Sequence, residues 1–247
     1  MFALLGIVAG SALGMRLVLP RMGGADAYAV AIAGVVGGLV GSRLFHVVDA
    51  WPYYAARPDQ IVAVWNGGAA VTGGIAGGIG GGVVMAWRRA LPVAYVIDRG
   101  VAGLALGMAI GRIGDVINGE HHATACAGVS WCVRYTHPNT LGQRELVHPA
   151  VAYELVADLV ILVVVLALLR RRVPPLVSTL AFVGLYGLVR LLLSRFRLDP
   201  AWLGPITQAQ AVSAAFVAIA LVGLARSFGG RGAEPPDRAP RRRHTQG

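Results

Sequence analysis

Residues 150–169 read AVAYELVADLVILVVVLALL, with Tyr153, Glu154 and Asp158 the only polar interruptions. A hydrocarbon core takes about 20 apolar residues of helix to cross, and this run has that length. Glu154 and Asp158 are four apart, so they share one face of the helix while every other face is apolar. A water-soluble helix carries polar residues around a whole face. The stretch is therefore read as a transmembrane helix with two acids aimed at a protein interior.

Six further runs of the same kind flank it, at 2–20, 27–48, 69–87, 93–117, 176–196 and 203–225. Composition agrees: 56% of the 247 residues are hydrophobic and 14% charged, where soluble domains carry roughly 25% charged residues. Mean hydropathy is +0.64. The 34 glycines follow no three-residue period, which excludes a collagen-like chain. The first run has no basic segment before it, so it is read as a span and not as a cleaved leader. The expected fold is an all-α integral membrane protein of seven transmembrane helices around an outward or laterally open polar cavity. Residues 1–225 form that domain, with an outside loop at 119–147. Residues 226–247, rich in Arg, Pro and Gly, are expected to be a disordered cytoplasmic tail attracted to anionic lipid.

The net charge of +10 comes from 22 arginines and no lysine. They fall in connections and in the tail, not along one face, which argues against nucleic acid as a partner. In a seven-span arrangement fourteen lie on one side and five on the other. Basic residues accumulate on the cytoplasmic side, so the N-terminus is expected outside and the C-terminus in the cytoplasm. Residues 51–66 hold Trp51, Tyr53, Tyr54 and Trp65, the aromatic belt of an interface. Cys126 and Cys132 in the outside loop are either a disulfide or two free thiols; spacing does not choose.

Three arginines remain inside the spans, and each costs roughly 2.5–3.5 kcal/mol there unless it is partnered. Tyr186, Arg190, Ser194 and Arg197 form one stripe at helical spacing; Arg112, Asp115 and Asn118 form another, and Arg43, His46 and Asp49 a third. With Glu154 and Asp158, four helices aim polar residues inward. Gly107 and Gly111 precede Arg112 as a small-xxx-small pair that admits a neighbouring helix. Glycines fill nine of the sixteen positions 67–82, which reads as a close-packing surface. Structural ion pairs would absorb some of these polar residues; a functional cavity accounts for all of them. Arginine suits bidentate recognition of phosphate, so the cavity fits a phospholipid headgroup or an anion pathway.

Gly111-Arg112-Ile113-Gly114-Asp115-Val116-Ile117-Asn118-Gly119-Glu120 resembles the signature G-R-[IL]-G-N-F-I-N-G-E of the prolipoprotein diacylglyceryl transferase family, matching eight of ten positions. Gly41-Ser42-Arg43-Leu44, Asn66-Gly67-Gly68 with Gly73-Gly74-Ile75, His148-Pro149 with Tyr153-Glu154, Tyr186-Gly187-Leu188-Val189-Arg190 with Arg197, and Gln210 are similar to further family segments in the same order. The resemblance implies a multi-pass enzyme of the bacterial cytoplasmic (inner) membrane. Such an enzyme moves the diacylglyceryl group of phosphatidylglycerol onto the lipobox cysteine in the signal peptide of a prolipoprotein. Its partners are those two substrates and membrane lipid, and it implies neither a metal nor a cofactor.

Carried over residue by residue, the resemblance makes Arg112 and Arg190 the headgroup arginines, with Asn118 and Glu120 also in the catalytic set. Arg43, Gly119, His148, Tyr153, Glu154, Tyr186 and Arg197 are the expected substrate-binding residues. The chain departs from the pattern at Thr72, where the family has His or Tyr, and at Ser194, where it has Glu. For the base missing at Thr72 the residues offer His46, with Asp49 to orient it; otherwise His46 is an interfacial histidine. A non-catalytic phospholipid-binding or transport protein, or a transferase with another acceptor, remains as the alternative.

Overall fold

The structure, a computed structural model, describes residues 1–171 and 173–229. It is helical, and among the described residues the only β-pairing is isolated bridges in the loops. The helices are α1 (Phe2–Val18), α2 (Gly24–Asp49), α3 (Trp51–Ala56), α4 (Val71–Arg88), α5 (Val93–Asn118), α6 (Ala150–Leu169), α7 (Val177–Leu193) and α8 (Gln208–Gly229). Six of them, all but α3 and α4, are long and apolar enough to cross a membrane. The chain is thus a multi-pass membrane protein. Glycine lends α4 little hydropathy, although the helix occupies the expected third run. The expected tail lies outside the described residues from 230 onward, and 226–229 still belong to α8.

Sequence explains several helix ends. Pro20 turns the end of α1 into a tight turn at Leu19–Arg21. Pro149 immediately precedes α6. The expected last run starts at 203, but α8 begins at Gln208. Leu203 and Ile206 exchange backbone hydrogen bonds around Gly204 and Pro205, which holds that stretch in a turn. Thr207 and Gln210 then cap α8 reciprocally: Gln210 N donates to Thr207 Oγ1 (3.1 Å) and Thr207 N to Gln210 Oε1 (3.0 Å). This T-x-x-Q capping box is a helix-start signal carried by the sequence itself.

Two glycine seams organise the bundle, α1 against α5 and α2 against α4. A Cβ on Gly77 would strike the Gly37 carbonyl, and one on Gly10 the Gly103 carbonyl. Backbones therefore touch directly, the way close helix pairs form in lipid, where water expulsion gives no drive. Within 67–82 the packing surface that the composition suggests is formed by Gly73, Gly74, Gly77, Gly78 and Gly81; Gly67 and Gly68 precede α4 at positive φ, and Gly80 meets nothing. Gly107 faces Gly6, whereas Gly111 meets nothing. Between the two seams lies an open apolar cavity of about 380 Å³, lined among others by Ala3, Gly34, Gly38, Gly74, Ile97 and Gly111.

The loops gather at two ends. At one end Arg89 pairs with Asp26 (2.8 Å), and Asp98 accepts from Leu176 N, Thr179 N and Thr179 Oγ1, all at 2.8 Å. At the other, Thr124 N donates to the Phe196 carbonyl and Gln208 Nε2 to the Phe45 carbonyl. Loop 119–147 belongs to this second end. It is closed by a Cys126–Cys132 disulfide and tied by Val133–Val147 backbone pairing.

Candidate active site

The polar centre lies within two helical turns of the second end. The reason is sequence position: Arg112 precedes the end of α5 by six residues, Glu154 follows the start of α6 by four, and Arg190 precedes the end of α7 by three. Glu154 is the hub. Its Oε2 lies 2.8 Å from Arg112 Nη2, and its Oε1 lies 3.5 Å from Arg197 Nη1 and 3.8 Å from Arg190 Nη1. Asp115 and Asp158 add contacts to Arg112 at 3.4 and 3.9 Å. All three guanidiniums are buried, and a buried charge persists only when paired.

The far side of Arg190 and Arg197 is closed by Asp199, which no spacing pattern in the sequence singles out. Its Oδ2 is 2.5 Å from Arg190 Nη2, and its Oδ1 is 3.1 Å from Arg197 Nη2. Burial alone would raise its pKa, but the charges of Arg190 and Arg197 and their hydrogen bonds hold it below the ordinary carboxylate range. One signal could have found it: Asp199 is the lone acid between Asp158 and Glu234. Polar atoms are left over in the cluster. Glu154 Oε2, Asp158 Oδ2, Tyr186 Oη and Arg190 Nη1 are buried without a well-aligned hydrogen bond.

Asn118, Gly119 and Glu120 turn the chain out of α5. Gly119 adopts φ 71°, and Glu120 N returns to the Asp115 carbonyl (3.1 Å), the Schellman closure in which glycine takes the left-handed position. Asn118 Nδ2 donates to Glu120 Oε1 at 2.8 Å. His121, which the sequence offers only as loop, sits near the cluster. Desolvation by the groups around it, then repulsion by Arg197 and Arg112, pushes its pKa well below the ordinary histidine value, although the residue itself is exposed.

His148 and Tyr153 form a separate group beside it. His148 Nδ1 lies 3.3 Å from Tyr153 Oη, which accepts from Trp131 Nε1 at 2.8 Å; the imidazole packs on Phe196 with ring centres 4.7 Å apart.

Arg43 behaves differently from the expectation placed on it. Its Nε donates to the Ile61 carbonyl (3.0 Å), Nη1 to Gly67 (2.5 Å) and Gly68 (2.9 Å), and Nη2 to Gln60 (2.6 Å) and Ala63 (3.2 Å). Guanidinium has five N–H donors, so none is left for a phosphate. Here Arg43 clamps the 60–68 loop. The clamped loop and α2 enclose a polar cavity of about 420 Å³, lined by His46, Tyr53, Tyr54, Gln60, Asn66 and Gly68 among others. His46 meets Tyr54 edge-on at 5.8 Å, and among the described residues no hydrogen bond joins it to Asp49. Thr72 is buried.

Fold and site together define a multi-pass helical membrane protein with a buried arginine–carboxylate centre near one end. The family model of prolipoprotein diacylglyceryl transferase matches residues 1–226. A phosphatidylglycerol–prolipoprotein diacylglyceryl transferase from Synechococcus elongatus is 33% identical over 235 residues, covering 92% of this chain and 80% of its own. Proteins of the same name from Nostoc sp. and Clostridioides difficile are 34% and 31% identical over 200 and 188 residues, covering 77% and 76% of this chain and 70% and 73% of theirs. The chain belongs to the prolipoprotein diacylglyceryl transferase family.

Proposed function

We propose that this chain transfers the diacylglyceryl group of phosphatidylglycerol to the lipobox cysteine thiol of a prolipoprotein signal peptide. The observation that carries the placement of this chemistry is the convergence of Arg112, Arg190 and Arg197 on Glu154. Three fixed guanidiniums at membrane depth are suited to a phosphate diester and to the charge its departure creates. The thiolate sulfur attacks the carbon of the diacylglyceryl group that bears the phosphate oxygen. A C–S bond forms as the C–O bond breaks, and glycerol phosphate leaves with the bonding electron pair. The thiol proton goes to a base, because thiolate is the reactive form.

In this reading Arg190 and Arg197 hold the phosphate, and Arg112, fixed by Glu154, Asp158 and Asp115, sets the potential behind it. Tyr186 contributes an unpartnered hydroxyl. Asn118, Gly119 and Glu120 shape the rim, and His148 and Tyr153 shape the side beneath the disulfide loop. His46 takes the thiol proton; its place on the wall of the polar cavity supports this role. Arg43 serves the same cavity by holding its loop. The apolar cavity between the glycine seams suits acyl chains.

Seven helices cross the membrane, with α4 as the third span. The N-terminus is outside, the C-terminus is cytoplasmic, and the polar centre opens toward the outer side. The alternation of loops between the two ends supports that count, and the arginine distribution supports the orientation. The host membrane is the bacterial cytoplasmic membrane.

The test is an in vitro assay with phosphatidylglycerol and a lipobox peptide, scoring thioether product. Arg190→Lys is expected to lose activity while remaining folded, since a point charge does not replace the fork. His46→Gln is expected to lose activity and to regain it when combined with Thr72→His. Undiminished turnover in His46→Gln alone removes His46 from the mechanism.

A further inference from the structure

Asp199 differs from every other acid in the cluster. Glu154 and Asp158 stand on α6 with side chains 4% exposed and Asp115 stands on α5 with 27%, whereas Asp199, 22% exposed, lies off the helices and contacts Arg190 and Arg197. It sits in the connection between α7 and α8. That connection is tied on either side of it, at Leu198 N to the His122 carbonyl (3.1 Å) and at Trp202 N to the Ile206 carbonyl (2.8 Å). Among the described residues no backbone hydrogen bond holds Asp199, Pro200 or Ala201 themselves. The carboxylate can therefore leave without unwinding a helix. What it covers is the face of Arg190 and Arg197 that Glu154 does not reach, with contacts from both oxygens to Arg197 Nε (3.2 and 3.3 Å) as well as those to the two Nη2 atoms.

Charge makes the same point. Asp115, Glu154, Asp158 and Asp199 face Arg112, Arg190 and Arg197, four acids against three guanidiniums. Even with one acid protonated the cluster has no positive surplus with which to draw in another anion. A phosphate enters at low cost only if an anion leaves; Asp115 is as accessible but is fixed on α5 against Arg112, and Asp199 is the partly exposed acid that is off the helices and on Arg190 and Arg197.

We propose that Asp199 is an internal anion standing in for the headgroup phosphate, and that its displacement from Arg190 and Arg197 sets the affinity for anionic lipid. This rests on the reading that the arginine cluster receives the phosphate. A site whose competent form is only a fraction of the population binds with an apparent Kd equal to the intrinsic value divided by that fraction, so removing the competitor tightens binding.

The test uses the full chain in detergent, titrated with mixed micelles containing phosphatidylglycerol or, as a headgroup-free control, diacylglycerol. Asp199→Asn is expected to lower the apparent Kd for phosphatidylglycerol by about fivefold and to leave diacylglycerol binding unchanged. Asp199→Glu, which restores the competing charge, is expected to return the Kd toward that of the parent. Unchanged or weaker phosphatidylglycerol binding by a folded Asp199→Asn protein overturns the proposal. A second readout needs no change at Asp199. Trp202, on the same connection and 47% exposed, should change its emission on phosphatidylglycerol binding, with Trp202→Phe defining the background. Bound lipid without that change also overturns it. The peptide assay separates the two readings: thioether product with no tightening in Asp199→Asn sinks this inference alone. Tightening without any thioether product leaves the inference standing and sinks the transferase reading.

Discussion

The guanidinium of Arg112 and the carboxylate of Glu154 meet at 2.8 Å, joining α5 to α6 where both are buried. The same carboxylate then faces Arg190 and Arg197. One acid thus organises three cations from the C-terminal part of α5, the end of α7 and the connection that follows it.

Glu154→Gln keeps the size and one acceptor but removes the one carboxylate that contacts all three guanidiniums. Removing the partner of an isolated buried pair costs about 3–5 kcal/mol; the cost here falls below that range because Asp115 and Asp158 still contact Arg112, and Asp199 still contacts Arg190 and Arg197. We expect a clear fall in melting temperature in detergent and near-complete loss of thioether formation. A melting temperature equal to the parent's would show that water, not Glu154, compensates the arginines.

Gly77 abuts the Gly37 carbonyl, whereas Gly80 meets nothing within 4 Å. Gly77→Leu should force α2 and α4 apart and destabilise by at least the ~1–3 kcal/mol of an overpacked core. Gly80→Ala is the control and should be neutral or slightly stabilising, since alanine favours helix. Equal melting curves for the two variants would refute the seam.

Asp98 caps the N-terminus of α7 from α5, through two backbone N–H groups and the Thr179 hydroxyl. Asp98→Ala leaves those buried donors unpaired, at a cost of about 1–3 kcal/mol. Because the cap lies at the end remote from the arginines, the loss should appear in thermal stability while KM for phosphatidylglycerol holds.

His121 has a folded-state pKa below its ordinary 6.5, by desolvation from neighbouring groups first and then by Arg197 and Arg112. A depressed histidine favours folding while both states are neutral, above the unfolded pKa. That contribution declines as pH falls below 6.5, when the unfolded chain takes the proton more readily. Thermal stability measured from pH 7.5 down to 4.5 should therefore fall less steeply in His121→Gln than in the parent. Parallel profiles would count against a strained neutral His121.

Local rules suffice for those parts of the molecule where one residue type dictates an outcome. Apolar length sets the helices, Pro20 and Pro149 punctuate them, and Gly119 forces the left-handed exit from α5. Helical spacing alone puts Glu154 with Asp158, and Tyr186 with Arg190, on shared faces, and all four are buried. The glycine content of 67–82 likewise announces a seam without naming its partner. Partners are a matter of tertiary structure, since a side chain's bonds depend on what other segments bring within 3 Å of it. Arg43 shows this most plainly. Its sequence context suggests a headgroup ligand, but the fold delivers five carbonyls of the 60–68 loop to its five donors. Asp199 shows the converse: a lone acid in a short connection carries no pattern, and only the return of that connection across α7 sets it on Arg190 and Arg197. Spacing along a helix fixes direction, whereas neutralisation of a buried charge is settled by whichever chain segment arrives.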